Sequence, residues 1–479
     1  MELNKLKKIN ENEWEIPKQN EMRVPGKIFA SKKLIIDMDN KVYEQVSNVA
    51  TLPGIQKFSL AMPDAHWGYG FPIGGVGAFD LNSGVISVGG VGFDGGCGVR
   101  MLRTNLFLDD VKPKIKEIID KLFDIVPSGV GIRGKIMLSD REVNNVLKSG
   151  AKWAVEQGYG DKKDLKFIED NGEIKNAEPK NVSELALKRE KKQIGTLGSG
   201  NHYLEIQYVD EIFDKKAAKI FGLEENQIVI SVHCGSRALG HQIGTDYLKT
   251  LAEASRKYNI PIRERELVCA PINSDEGQRY FSAVCCALNY AYANRQIITN
   301  LIRDGFEKIF RNPKIETLYE ISHNSVKIEE HFLNNGNGNK KTNLLVHRKG
   351  ATRAFGPNHK DIPQAYKTIG QPVIIGGSMG TESYLLHGTD YAMKNSFGSS
   401  CHGAGRAMSR MQAKRQENSQ VLLQQLMKKG IYVKTRSISG LLEEKPEAYK
   451  NVSEVVQSTH DSGIAFKVAR VKPIGNIKG

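Results

Sequence analysis

Cysteine is scarce in this sequence: six residues, Cys97, Cys234, Cys269, Cys285, Cys286 and Cys401, in a chain of 479. That is too few for a disulfide framework, and no C-x-x-C pair points to a structural zinc knuckle. Long apolar runs are missing too. No stretch approaches the ~20 apolar residues that span a bilayer. The opening M-E-L-N-K-L-K-K-I-N-E-N-E-W mixes acids and bases where a signal peptide would carry an apolar run. These absences predict a cytoplasmic protein that does not associate with membranes. There is no repeat of fixed period and no long low-complexity tract, only N-N-G-N-G-N-K-K at 334–341, which reads as a surface loop. The Walker and Rossmann glycine spacings are also absent, which removes the commonest nucleotide folds without removing nucleotides.

Positive charge, by contrast, is in excess. Lys and Arg total 68 against 54 Asp and Glu, a formal charge of +14, which favours contact with polyanions such as nucleic acid. Apolar residues make up 40% of the chain, enough at this length for a large core in one big domain or two to three ordinary ones. Helical periodicity is clearest over 278–310, where Phe281, Val284, Cys285, Leu288, Ile297, Leu301 and Phe306 can share a buried face. Further helices are predicted over 112–124, 142–157, 242–257 and 405–428. Strands are predicted over 26–36, 73–79, 99–106, 228–233, 315–322, 344–348, 372–375 and 464–471. This interspersion predicts a mixed α/β chain around a sizeable sheet. The charge-rich segment 162–192 reads as an exposed, partly helical insertion within one domain.

Residues 89–100, G-G-V-G-F-D-G-G-C-G-V-R, set a carboxylate, Asp94, three positions before a thiol, Cys97, among six glycines. Such a backbone can turn tightly and bring both groups to one ion, or the thiolate can bridge two. Taken alone, Cys97 reads sooner as a small buried hydrophobe and Asp94 as a turn cap. Three histidines change that balance. His202 follows G-S-G-N, His233 closes I-V-I-S-V-H and His323 closes L-Y-E-I-S-H. Each is placed where a strand end brings its side chain to the rim of a sheet. One thiolate, one carboxylate and three imidazoles suffice for two divalent ions sharing the sulfur. The ligand types favour Zn²⁺, with Mn²⁺ or Co²⁺ where positions stay open. Asp64 and His66, in M-P-D-A-H-W-G, read either as groups orienting the metal ligands or as an Asx turn.

Three glycine-rich loops offer unobstructed backbone amides for phosphate oxygens: 195–205, G-T-L-G-S-G-N-H-Y-L-E; 376–381, G-G-S-M-G-T; and 401–406, C-H-G-A-G-R. His402, beside glycines and Arg406, is the sharpest candidate nucleophile. A neutral imidazole there can attack phosphorus while Arg406 offsets the adduct's charge. Its second ring nitrogen needs a partner to fix the tautomer, and spacing does not identify one.

Together these segments resemble the RtcB RNA ligase family, from about Val24 to Lys478 and Gly479. The motifs that carry the likeness are D-A-H-W-G-Y-G-F-P-I-G-G-V, G-G-V-G-F-D-G-G-C-G-V-R, G-T-L-G-S-G-N-H-Y-L-E-I, H-C-G-S-R, G-G-S-M-G-T and C-H-G-A-G-R. The resemblance implies an α+β fold: a single large domain over 1–479, a central mixed sheet, helices outside and the active site at strand ends. It implies two Mn²⁺ ions, one on Cys97, His233 and His323 and the other on Asp94, Cys97 and His202. It further implies that His402 takes GMP from GTP, with the guanylate held by Asn201, His202, Tyr203, Leu204, Glu205, His323, Asn324, Gly376, Gly377, Ser378, Met379, Ser383, His402, Gly403, Ala404, Gly405 and Lys478. Glu205 suits guanine, since a carboxylate accepts from both N1–H and N2–H. The implied reaction joins RNA 2′,3′-cyclic phosphate or 3′-phosphate ends to 5′-hydroxyl ends, in tRNA splicing or RNA repair. Its implied partners are RNA and an archease-type activator protein, and the implied state is a monomer; Arg189, Arg237, Lys349 and Arg410 read equally as RNA-backbone contacts and as solvated surface charges.

The chain departs from the family pattern at several positions. Gly95 and Gly96 stand for the usual Ile-Asn, Gly376 for a common proline, Cys234 for Ser or Thr, and Glu382 for a small residue. No proposed ligand or nucleophile is lost. Two rival readings keep parts of the same constellation: a dinuclear-metal phosphoesterase or nuclease using water as nucleophile, and a noncatalytic RNA-binding paralogue that keeps metal for folding.

Overall fold

Two large sheets carry most of the strands in the computed structural model, which describes residues 1–334, 339–415 and 418–479. The first has seven strands, in the order Lys7–Asn10, Glu13–Ile16, Gly26–Phe29, Ile55–His66, Ile73–Asp80, Asn339–Lys349 and Asn324–Asn334. The second runs Ile315–Ser322, Gly98–Phe107, Gln227–Cys234, Tyr203–Ile212, Ala465–Lys478, Ser383–Gly388 and Pro372–Ile375. Tyr432–Thr435 is added as an eighth strand, parallel to Ala465–Lys478. Pairing is otherwise antiparallel, apart from Gly26–Phe29 against Ile55–His66 in the first sheet. With helices packed around sheets of this kind, the chain is a single α+β domain. No helix among the described residues is long and apolar enough to cross a membrane.

The 33-residue helix Asp275–Glu307 starts at Ser274, whose side chain accepts from Gly277 N, and it is buried on nearly every face. That burial explains why its apolar pattern is so continuous and why polar residues in it, Asn289, Asn294 and Arg295, all donate to backbone carbonyls of other segments. The helices predicted over 112–124, 142–157 and 242–257 correspond to Ile115–Ile125, Asp140–Glu156 and Ala238–Lys257.

Three expectations need correction. The strand predicted over 26–36 ends at Phe29, because Ser31 caps a helix over Lys32–Asp37 by accepting from Leu34 N. The helix predicted over 405–428 is two helices, Arg410–Arg415 and Ser419–Lys428. Ser409 accepts from Gln412 N at the start of the first, and Asn418 caps the second. The segment 162–192 is partly helical, with Lys162–Leu165 and Glu184–Glu190, but it is not simply exposed. Asp164, Glu169 and Glu190 are buried. Of the Asn/Gly/Lys patch, Asn334 and 339–341 continue strands, and 335–338 lie outside the described residues.

Asp164 shows how the charged segment is held. Its carboxylate accepts two bonds from Arg303, both 2.7 Å, and one each from Thr317 and Gln296 at 3.0 Å. Burial opposes its charge, but Arg303 outweighs burial and keeps the carboxyl below its ordinary pKa. Removing one partner of such a pair leaves a buried charge uncompensated, so Asp164→Asn is expected to cost about 3–5 kcal/mol. A depressed carboxyl stabilises fully above its unfolded pKa of about 3.9 and loses that contribution as pH falls towards its folded value. Urea unfolding should therefore separate wild type from variant at neutral pH, with the gap closing in acid.

Candidate metal and nucleotide site

An antiparallel sheet places the start of one strand beside the end of the next, and the second sheet uses this at one rim. Cys97 precedes Gly98–Phe107 and His202 precedes Tyr203–Ile212. Between these strands, Gln227–Cys234 ends with His233 and Cys234; on the outer side of Gly98–Phe107, Ile315–Ser322 ends just before His323. The register pairs Ser322 with Gly98, Gly98 with Cys234, and His233 with both Val99 and Tyr203. Four potential ligands that lie far apart in sequence therefore meet on a rigid edge.

Cys97 Sγ lies 3.4 Å from His202 Nε2 and 3.2 Å from His233 Nε2. His202 Nε2 is 2.9 Å from Asp94 Oδ2, and His233 Nε2 is 3.2 Å from His323 Nε2. Among the described residues, Cys97, His202 and His233 form a buried group able to hold a metal ion. Burial, with neighbouring positive charge, holds His233 and His323 well below the ordinary histidine pKa, so both present neutral imidazoles. Burial and the Asp94 carboxylate push the Cys97 thiol well up, which is the state a divalent cation would reverse. Asp94 stays ionised: burial opposes its charge, but His202 outweighs it. His233 Nδ1 is 3.1 Å from Asn201 O, which orients the ring.

The His323 ring is 4.8 Å, centroid to centroid, from that of His402. Asp64 supplies the partner that sequence could not name for the second ring nitrogen of His402. Its buried Oδ2 is 2.6 Å from His402 Nδ1 and also accepts from His402 N at 3.1 Å and Gly403 N at 3.3 Å. Burial disfavours the Asp64 charge, yet His402 and Lys450 outweigh it and lower its pKa. Nδ1 therefore carries the proton, and Nε2 keeps its lone pair. Gly405, in the left-handed region at φ 73°, packs its Cα against Asp64 O so closely that no side chain fits.

These groups open into a cavity of about 470 Å³ lined by Asp94, Cys97, His233, His323 and His402, with Asn201, Tyr203, Asn324, Lys349, residues 376–379, 403–406, Arg410 and Lys478. A family model described as tRNA-splicing ligase RtcB matches residues 45–479. The chain belongs to the RtcB family. Curated relatives named tRNA-splicing ligase RtcB include those of Methanococcus maripaludis and Archaeoglobus fulgidus. The first is 52% identical over 478 residues, 98% of this chain and 99% of that protein. The second is 52% identical over 480 residues, 99% of each. The protein of the same name from Nanoarchaeum equitans is 49% identical over 481 residues, again 99% of each.

Not every residue named from the RtcB resemblance faces the cavity. Leu204 is core, Ser383 accepts from Gly377 N at 3.0 Å, and Glu205 is buried behind the wall. The Glu205 carboxylate accepts from Asn476 and, at 2.8 Å, from Gln207; burial pushes its pKa up to about 7 against Lys478 and these donors. Of the four basic residues, Lys349 and Arg410 line the cavity. Arg189 instead donates to Gln242 and Arg237 to Thr196. Lys349 is buried, its Nζ donating to Tyr69 O and Phe71 O, and burial lowers its pKa to about 7. Sequence reading missed Phe93, His241, Glu444 and Tyr449 in the wall. Nothing in local spacing marks them.

The RtcB departures also have places. Gly96 has φ 75° and abuts the helix Asp275–Glu307, where a Cβ would sit 2.8 Å from Ala291 Cβ; asparagine is the other residue at ease with that φ. Glu382 accepts from Ser453, away from the cavity lining.

Proposed function

We propose that this chain is a GTP- and Mn²⁺-dependent RNA ligase that joins RNA 2′,3′-cyclic phosphate or 3′-phosphate ends to 5′-hydroxyl ends through guanylylated His402, acting in the cytoplasm as one domain over 1–479. One observation carries the reading: His402 has its Nδ1 engaged by buried Asp64 and its ring packed on His323, whose Nε2 adjoins the Cys97 cluster. A water-using phosphoesterase would employ such an imidazole as a general acid or base and would leave no covalent adduct on it. The donor set fits divalent ions: one sulfur between two imidazoles, a carboxylate on one side and a third imidazole on the other. Such ions, when bound, offset negative charge on a transferring phosphoryl group.

His402 Nε2 attacks the α-phosphorus of GTP; the N–P bond forms as the bond to pyrophosphate breaks. Asp64 keeps the Nδ1 proton in place and stabilises the positive ring. Lys349, Arg406 and Lys478, in the cavity wall, offset phosphate charge. An RNA 3′-phosphate oxygen, freed where necessary by opening the cyclic phosphate, then takes GMP from His402. The 5′-hydroxyl oxygen of the second RNA attacks the activated phosphorus, its proton is lost and GMP departs.

The test is incubation of the protein with Mn²⁺ and GTP labelled at the α-phosphorus, followed by denaturing separation and peptide mapping. The expected result is an acid-labile, alkali-stable label on the peptide containing His402, as a phosphoramidate requires. Metal-loaded protein that takes no label would transfer belief to the phosphoesterase reading. Joined RNA recovered from 3′-phosphate and 5′-hydroxyl ends tests the second half of the reaction. Dependence on an archease-type activator would appear as a rise in turnover when one is added.

A further inference from the structure

The W-G-Y-G stretch at 67–70 displays two rings in water: Trp67 is 58% exposed and Tyr69 62%. Its backbone, however, is clamped. Buried Gln45 donates to Gly68 O at 2.8 Å and accepts from Gly68 N at 3.1 Å. Gly70 N donates to Glu264 Oε1 at 2.9 Å, and the Lys349 ammonium donates to Tyr69 O. A segment fixed from three sides has little backbone freedom left to lose when it binds something. Two large rings held in solvent on such a segment are a surface awaiting a flat apolar partner.

The charge around them narrows the partner. Tyr69 is part of the cavity wall that also contains Arg406 and Arg410, which are paired with Glu444 and Glu443, so an aromatic face and two guanidinium groups share one mouth. Cations along a path for phosphates and rings beside it are how single-stranded nucleic acid is gripped without sequence preference. Every base has a face to stack, whichever ends are being joined.

We infer that Trp67 and Tyr69 form a stacking platform for an unpaired base next to the RNA end being joined, which rests on the RNA ligase reading above. The platform sets affinity for the strand, while the chemistry stays with His402.

Trp67 also reports on itself. The chain has three tryptophans, and Trp14 and Trp153 are buried at 4% and 5% exposure, so the water-quenchable emission belongs to Trp67. The full chain is titrated with a 5′-hydroxyl RNA oligomer and with one of equal length and phosphate count whose terminal nucleotides lack bases. The base-bearing strand is expected to quench the exposed emission and the abasic strand to leave it. KM for joining is expected to rise about tenfold in Trp67→Ala and in Tyr69→Ala, and to return towards the wild-type value in Trp67→Phe and Tyr69→Phe. Wild-type protein that joins neither strand would sink the ligase reading and the platform with it. Joining of both strands with equal KM would sink the platform alone and leave the two rings to a protein partner.

Discussion

Asp64→Asn is expected to slow guanylate transfer to His402 by about 10³- to 10⁴-fold, the scale of loss when the carboxylate behind a catalytic imidazole becomes an amide. Asp64 Oδ2 accepts from the ring Nδ1–H and from two backbone amides of the His402 loop, while Oδ1 is buried with no hydrogen-bond partner among the described residues. An asparagine must either bury its NH₂ unpaired at the Oδ1 position or turn it towards Nδ1. The first costs stability; the second reverses the tautomer, leaving the proton on Nε2 and no lone pair to attack. The variant also loses the negative charge that stabilises the ring once it bears phosphorus. Initial rates of label incorporation, with metal content and unfolding midpoint measured alongside, test this. Bound metal should stay at the wild-type level, since Asp64 is not among the Cys97 cluster's contacts. A wild-type labelling rate would mean that the 2.6 Å contact does not govern the nucleophile.

Cys97→Ala is expected to empty both metal positions, whereas His202→Ala should empty one. The sulfur lies between His202 and His233, and each flank has its own further group, Asp94 on one side and His323 on the other. A ligand common to two ions, once removed, leaves each with two protein donors, fewer than the three that open metal sites ordinarily keep. Elemental analysis after gel filtration reads the stoichiometry directly. Retention of one ion in Cys97→Ala would show that the thiolate serves a single position.

Among the candidate ligands, His233 and His323 were legible because strand ends show as apolar runs that stop, whereas Cys97 and His202 come before their strands and Asp94 lies in a glycine-rich loop. His233 and His323 close such runs, and the strands they close were located to within a residue. Tyr203–Ile212 was not predicted, although L-E-I-Q-Y alternates apolar and polar residues, because its start was assigned to the glycine-rich loop 195–205. Its polar members are satisfied by partners up to hundreds of residues away, as Glu205 is by Asn476. The same long range hid the pairing of Asp64 with His402 across 338 positions, which joins a strand of the seven-stranded sheet to the loop after Ser399–Cys401 and has no local spacing to show it. The helix over Asp275–Glu307 was clear because it is buried all round, and the segment 162–192 was misread for the converse reason. Its charges look solvated in sequence, but Asp164, Glu169 and Asp170 are matched by Arg303, Arg353 and Lys327 from elsewhere in the chain.

The order of strands in the second sheet bears on when the protein can act during synthesis. Ala465–Lys478 joins Tyr203–Ile212 to Ser383–Gly388, so the sheet has a gap at its middle until residue 478 has left the ribosome. Lys478, at the tip of that strand, also lines the cavity. A nascent chain holding every histidine of the rim would still lack this central strand and the part of the cavity wall that Lys478 supplies.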